Sequence, residues 1–209
     1  MPCRSLLRSK QSMETVGATF RLPEDIFGRK RVLRLMPDCL EYANRGSTSE
    51  KVTRVKKEDI VDIRYSADWN IWYRFYVGCT YLIEVKTKRD EVLQIKFSGY
   101  FGAIEKYGNI YDSIVDLLWE YYMKDIVREH LHKLQLSGQQ CMAGVAVTEE
   151  GVAVVDKNLI IDWQDVELKE YETYYMMYSK QQPELNHAVS HGEWGSEVLR
   201  SMIKTIKQR

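Results

Sequence analysis

Residue types able to do chemistry are present in this chain, but few stand at useful spacings. The four histidines are His130, His132, His187 and His191. His187 and His191, in "HAVSH", have the four-residue spacing of a helical metal site, yet no glutamate adjoins them and no cysteine pair is near. His130 and His132 are two apart on a helical stretch, so they point to different sides and share no ligand. Cys3, Cys39, Cys79 and Cys141 form no Cys-x-x-Cys pair, which argues against zinc and fits the reduced thiols of a cytosol. No Gly-x-Ser-x-Gly turn, phosphate-binding loop or Gly-x-Gly-x-x-Gly fingerprint occurs. The serines of "NRGSTSE" (44–50) have loop composition and no histidine near them in sequence. Without a poised acid, base or nucleophile, the sequence assigns no catalytic, cofactor or metal residue, and a non-enzyme is expected.

Two groups of residues suggest binding instead. Arg29, Lys30, Arg31 and Arg34 form a basic cluster and are the candidate anion ligands, with Lys51, Arg54, Lys56 and Lys57 following the next loop. The segment "DWNIWYRFYVG" (68–78) is the other. Read as one strand, it puts Trp69, Ile71, Tyr73, Phe75 and Val77 on one face and Asn70, Trp72, Arg74 and Tyr76 on the other. A strand with one wet face alternates apolar with polar, and here both faces are aromatic, which predicts cover on both sides. "YETYYMMYS" behaves alike, with Tyr174, Met176 and Tyr178 opposite Tyr175 and Met177. The shared pattern predicts a domain or subunit interface through Trp69, Trp72, Tyr73, Arg74, Tyr76, Tyr174, Met176 and Tyr178, since Tyr, Trp, Met and Arg are enriched in interface cores. Two rivals stay open. Trp69 and Trp72 at a loop tip would suit a lipid headgroup region, although Asp68 beside them counts against it, and a groove lined by residues 69–76 would suit an amphipathic small molecule.

A chain of 209 residues with 44% hydrophobic and 29% charged residues has the composition of a folded protein, and no run approaches the ~20 apolar residues of a membrane-spanning helix. A cytoplasmic location is expected. The net charge of zero conceals an asymmetry: residues 1–104 carry 19 Lys/Arg and 13 Asp/Glu, and residues 105–209 carry 11 and 17. Opposite surpluses can dock one half on the other, and they disfavour a long polyanion, so no nucleic-acid partner is expected. Residues 1–19, basic at the start and rich in small polar side chains, read as a flexible extension.

From about residue 30 to 97 the pattern is that of strands. "KRVLRL" and "DCLEYA" flank a turn at Pro37, "KVTRV" and "DIVDIRY" follow, and "CTYLIEVKTKRDEVLQIKF" is a hairpin turning at Lys88 to Asp90. A helix comes next, with Ile110, Ile114, Leu117 and Tyr121 in one stripe. Its second stripe, Val127, Leu131 and Leu134, is rotated by roughly 80° at the ~100° per residue of an α-helix, as if one helix served two cores before ending at Ser137-Gly138. The second half repeats the order. "AGVAVTEEGVAVVD" is a hairpin with Gly151 suited to a positive φ, "NLIIDW", "DVELKEYE" and "TYYMMYSK" are strands, and "SEVLRSMIKTIKQR" is an amphipathic helix capped by Ser196. The expected division is a flexible extension (1–19), a first domain (20–123), a connecting helix (124–141) and a second domain (142–209).

Two runs of short antiparallel strands, each followed by one amphipathic helix, resemble the pleckstrin-homology-like (PH-like) fold of bacterial proteins, in tandem. "LIIDWQDVELKEYETYYMMYS" is similar to the stretch in that family where a Trp-bearing strand leads through an Asp-Val turn into an aromatic strand. "VTRVKKEDIVDIRY" stands in the corresponding place of the first half, with Ile60 where the second has Val166. The resemblance implies a mostly β, α+β protein of two bent antiparallel sheets or partial barrels, each closed by a C-terminal helix. It also implies cations from the first strands converging on a phosphoinositide headgroup, but the chain departs from that pattern at "DCLEYAN", where Glu41 stands in place of a basic residue. The expected function is therefore a non-enzymatic interaction or scaffold module with a protein partner or self-association, and the alternative is lipid or amphipathic-ligand binding through residues 69–76.

Overall fold

The computed structural model describes residues 17–24, 29–43, 52–154 and 159–208. The chain is mostly β with helices, in four antiparallel sheets. Strands β1 (Ala18–Pro23), β2 (Lys30–Leu35), β3 (Cys39–Ala43) and β4 (Val52–Lys56) form a four-stranded sheet in sequence order. Strands β5 (Ile60–Trp72), β6 (Phe75–Thr87) and β7 (Val92–Tyr100) form a three-stranded one. The order then recurs: β8 (Gln139–Met142), β9 (Val145–Thr148), β10 (Gly151–Val154) and β11 (Leu159–Asp162) make a second four-stranded sheet, and β12 (Val166–Glu170), β13 (Tyr174–Ser179) and β14 (Asn186–Ser190) a second three-stranded one. Helix α1 (Ile104–Leu118), a π-helical turn (Trp119–Met123) and α2 (Lys124–Ser137) run between the halves, and α3 (Ser196–Lys207) follows the last strand. Among the described residues no strand of the first half pairs with one of the second.

Strand β1 was not legible as a strand and begins at Ala18, inside the extension expected over 1–19; residues 1–16 and the loop 44–50 lie outside the described residues. The hairpin turn at Lys88 to Asp90 is present, with Asp90 at φ 63°. Gly151 does not turn the hairpin between β9 and β10. It sits in β10, where a Cβ would come 2.2 Å from the Ile161 carbonyl oxygen, so the close approach of two strands requires glycine there. The left-handed residues lie one hairpin earlier, at Ala143 and Gly144 (φ 47° and 68°). Gly138, at φ 73°, ends α2 as expected, its N–H bonding Leu134 O. The N-cap of α3 is Gly195 at φ 80°, not Ser196, whose hydroxyl instead bonds His191 O.

Buried apolar side chains form one cluster running from Leu22 in β1 to Ile203 in α3. The helix passes through it. Its buried line is Ile114, Leu118, Tyr122 and Ile126, with Met123 and Val127 beside it; of the expected stripe Ile110, Ile114, Leu117 and Tyr121, Ile114 is buried and the other three are partly buried. Four-residue steps drift around an α-helix, and the wider π turn at Trp119–Met123 is where the apolar stripe changes phase.

The halves meet through polar contacts around β5. The Asp62 carboxylate accepts the Gly195 N–H at 2.5 Å, Arg64 Nη1 donates to Gly192 O at 2.7 Å, and Tyr65 Oη donates to Glu197 at 3.0 Å. The Arg64 guanidinium lies 4.2 Å from the centre of the Trp194 ring. Of the ion pairs between described residues, Lys57 with Asp125 at 2.5 Å is the one that crosses from residues 1–104 to 105–209. The hydrogen bond from Lys57 holds the Asp125 carboxyl below the usual carboxylate range. A group whose folded pKa is lowered adds stability above its unfolded pKa and loses it as pH falls through the folded one. Both side chains are partly exposed, so Lys57→Met should lower stability by under ~1 kcal/mol at pH 7. That difference should vanish on acidification, as read by urea titrations across the acid range.

Candidate interaction surface

The aromatic segment is a hairpin and not a single strand. Strand β5 ends at Trp72, β6 begins at Phe75, and Tyr73 turns the chain at φ 61°, a left-handed conformation uncommon for a side chain of this size. The reversal changes which residues share a face. Ile71 stands opposite Tyr76 and Trp72 opposite Phe75, with an irregularity at Val77 on β6 where the register shifts. Trp69 meets Tyr76 edge to face, with ring centres 5.4 Å apart.

Strand β7 accompanies β6 only as far as the pair Gly78–Tyr100, so beyond that point the arm is two-stranded. Gly78 makes room for the Tyr100 ring, since a Cβ there would lie 2.6 Å from the ring's Cδ1. Below the tip, Asn70 donates to Thr80 Oγ1 at 3.0 Å and Thr80 is 3.0 Å from Ser98 Oγ, fastening the base of the arm across all three strands. Above this belt the side chains are in solvent: Trp72 is 72% exposed, Tyr73 91% and Phe75 69%, and Trp69, Ile71 and Tyr76 are exposed too. Exposed Tyr100 and Phe101 extend the apolar surface at its foot.

Among the described residues the expected cover on both faces is therefore absent, and no described residue of the second half packs on Trp69, Trp72, Tyr73, Arg74 or Tyr76. The two-faced aromatic pattern arose because a hairpin projects past the sheet beneath it, leaving no core above one face and no neighbouring strand on its flanks. The turn residues Tyr73 and Arg74 are neither Gly, Asn, Asp nor Pro, so nothing in their types marks a reversal.

The other aromatic strand is placed differently. In β13, Tyr175 and Met177 are fully buried, while Tyr174, Met176 and Tyr178 are half-buried on the opposite face. Tyr174 stacks on Tyr171 at 4.6 Å between centres. This strand is central in its sheet, flanked by β12 and β14, whereas the arm stands clear of its neighbours.

The basic candidates do not converge. Arg31 donates to Ala43 O at 2.8 Å and lies 3.9 Å over the Tyr42 ring, and Arg34 pairs with Glu41 at 3.4 Å. Along β2 alternation turns Arg31 to the side of Leu33 and Leu35, away from exposed Lys30 and Arg34. Arg29 stands exposed just before the strand. Glu41, the departure from the headgroup-binding pattern, is also approached by Arg54 at 3.8 Å.

Nor do the histidines gather. His191 Nδ1 is 3.3 Å from Glu197, its Nε2 is 3.2 Å from Tyr171 O, and its ring is 5.7 Å from that of Tyr175. His130 Nδ1 is 3.3 Å from Gln140 Oε1. Among the described residues no three His, Cys, Asp or Glu side chains are grouped to hold a metal ion, Cys39, Cys79 and Cys141 are unpaired thiols, and no helix is long and apolar enough to cross a membrane.

Sequence reasoning missed Glu197, which sits almost fully buried in the first turn of α3. A glutamate near a helix start is ordinary by type and position, so nothing in the sequence marked it. In comparisons with known proteins, no family model, no curated protein and no solved structure matches this chain.

Proposed function

We propose that this chain is a non-enzymatic, cytoplasmic interaction module built from two PH-like units that share a core through the connecting helix, with the β5–β6 arm as its docking element. The observation that carries the reading is the arm: six large apolar side chains between Trp69 and Tyr76 stand in solvent on both faces of one two-stranded ribbon. Exposed apolar patches of this kind mark contact sites. The tandem PH-like reading is supported by the repeated order of four strands, three strands and a helix. The cytoplasmic reading is supported by the unpaired thiols of Cys39, Cys79 and Cys141. Arg74 at the tip and tryptophans on both faces favour a second reading, in which the arm dips into a lipid interface.

Site-specific photocrosslinking in cells expressing the full chain tests the docking role. A photoreactive residue at position 73 should give a discrete protein adduct, and one at exposed Glu184 in the second half should not. Trp72→Asp should remove the adduct while shifting stability by no more than ~0.5 kcal/mol, as for an exposed site. Adducts to lipid would favour the second reading. Equal labelling from both positions, or none from position 73, would remove the arm from the function.

A further inference from the structure

The edge of the arm is as unusual as its faces. Strand β5 lies at the margin of its sheet. Over Ile60–Tyr65 its side chains are engaged by the second half, through Gly195 on Asp62, Gly192 and Trp194 on Arg64, and Glu197 on Tyr65. From Ser66 to Trp72 the backbone bonds only to β6 among the described residues, which leaves one row of N–H and C=O groups open. Proteins blunt such rows with proline, lysine, bulges or covering segments. "SADWNIW" has none of these: it contains neither proline nor lysine, its single charge is Asp68, and the irregular residue, Val77, falls on β6. A bare two-stranded ribbon is also marginal by itself.

We infer that a second copy of this chain occupies the edge, with β5 of one protomer pairing antiparallel to β5 of the other over Ser66–Trp72 and joining two three-stranded sheets into one of six strands. The inference rests on the arm being the docking element. An antiparallel strand is complementary to itself about a twofold axis, so the contact uses one surface twice and closes at two copies. The open row of backbone groups is what distinguishes this occupant. A lipid interface would take the aromatics but leave those groups unpaired as they approached the hydrocarbon, and would draw Asp68 in with them. In that register Trp69 faces its equivalent at the twofold axis, with Ile71 opposite Ala67 on the same face and Trp72 opposite Ser66 on the other, so one aromatic cross-strand pair lies at the centre of the contact. The chain's net charge of zero lets two copies approach without net repulsion.

The test is the mass of the full chain by light scattering after size exclusion, at up to about 100 μM, with tip and cysteine variants. We expect twice the chain mass, and loss of the dimer in Trp72→Glu with the melting temperature that the parent chain shows at dilutions where it is a monomer. Because Trp72 is exposed, that substitution leaves the fold intact. In a Cys3→Ser, Cys141→Ser background, cysteines placed together at Asp68 and Asn70, which face one another across the twofold axis, should oxidise to a crosslinked dimer, since paired strands bring Cα atoms within disulfide range. Exposed native Cys141 is the collision control. A monomer at the highest concentration overturns the pairing, as does a dimer that survives Trp72→Glu and crosslinks no faster at the arm than at Cys141. If the monomer sediments with phosphatidylcholine vesicles and Trp72→Glu releases it, the second copy is wrong while the arm remains the docking element.

Discussion

Tyr122→Ala should lower the unfolding free energy by about 3–5 kcal/mol, the cost of emptying a fully packed aromatic site. Tyr122 is 1% exposed in the π-helical turn, and its hydroxyl lies 2.6 Å from Met36 O and 2.8 Å from Cys39 O, where its one proton serves either carbonyl. Those carbonyls bound the turn between β2 and β3, so the side chain pins the first sheet to the helix. Tyr122→Phe separates the hydroxyl from the ring. Met36 O and Cys39 O each retain the other residue's N–H, at 3.3 and 2.9 Å, so the loss should be about 1 kcal/mol. Urea titration with an unchanged m-value would show that both variants act on stability alone. Alkaline pH supplies an independent measure. Burial pushes the Tyr122 phenol upward, as it does Tyr65, Tyr111 and Tyr175. A raised folded pKa means that stability is intact below the ordinary tyrosine value near ~10 and falls as pH climbs above it. Tyr122→Phe should make that decline shallower.

The turn pinned by Tyr122 was legible at Pro37, but the pin was not, because a tyrosine in an amphipathic helix looks the same whether its hydroxyl meets water or a carbonyl. "VLQIKF" announced itself because it has one core face and one wet face, while "TYLIEV" alternates in sequence although the face of Thr80, Leu82 and Glu84 is half-buried or buried. The arm was visible as an anomaly and misread in direction. Composition reported that Trp69 to Tyr76 are apolar on both sides, and burial is the commoner reason for that, but apolarity records only what a surface avoids and not whether anything covers it. The interval between Leu117 and Val127, where the sequence changes stripe, contains the π turn Trp119–Met123, and that turn depends on backbone bonding that no side-chain pattern encodes. Least legible were single polar residues that join distant segments, Asp62 to Gly195 and Tyr65 to Glu197, because their partners lie more than a hundred residues away in sequence.

The second large effect belongs to one of those joints. Glu197 is 3% exposed and accepts from Tyr65 Oη and from Arg200, and His191 stands beside it. Tyr65 in turn accepts from Trp119 Nε1 at 2.8 Å, so the chain of bonds runs from the connecting helix through β5 into α3. Arg200 keeps Glu170 as a second partner at 3.2 Å, but its Nε is buried without a hydrogen-bond partner among the described residues. Glu197→Ala would leave a guanidinium poorly compensated and a phenol without its acceptor, at a cost of about 3–5 kcal/mol. Glu197→Gln keeps an acceptor for Tyr65 and removes the charge, so it should cost less, about 1.5–3 kcal/mol. Part of the Glu197→Ala loss belongs to the joint between halves and part to the Arg200 pair within α3, and a cycle of Glu197→Ala with Tyr65→Phe divides them. If the bond to Tyr65 fixes α3 against β5, the two substitutions together should cost less than the sum of each alone, by at least ~0.5 kcal/mol. Strict additivity would place the energy in the Arg200 pair and leave Tyr65 a bystander. With the joint weakened, Trp194 should lose its place over Arg64, and its indole should become more accessible to acrylamide in Glu197→Ala than in the parent chain.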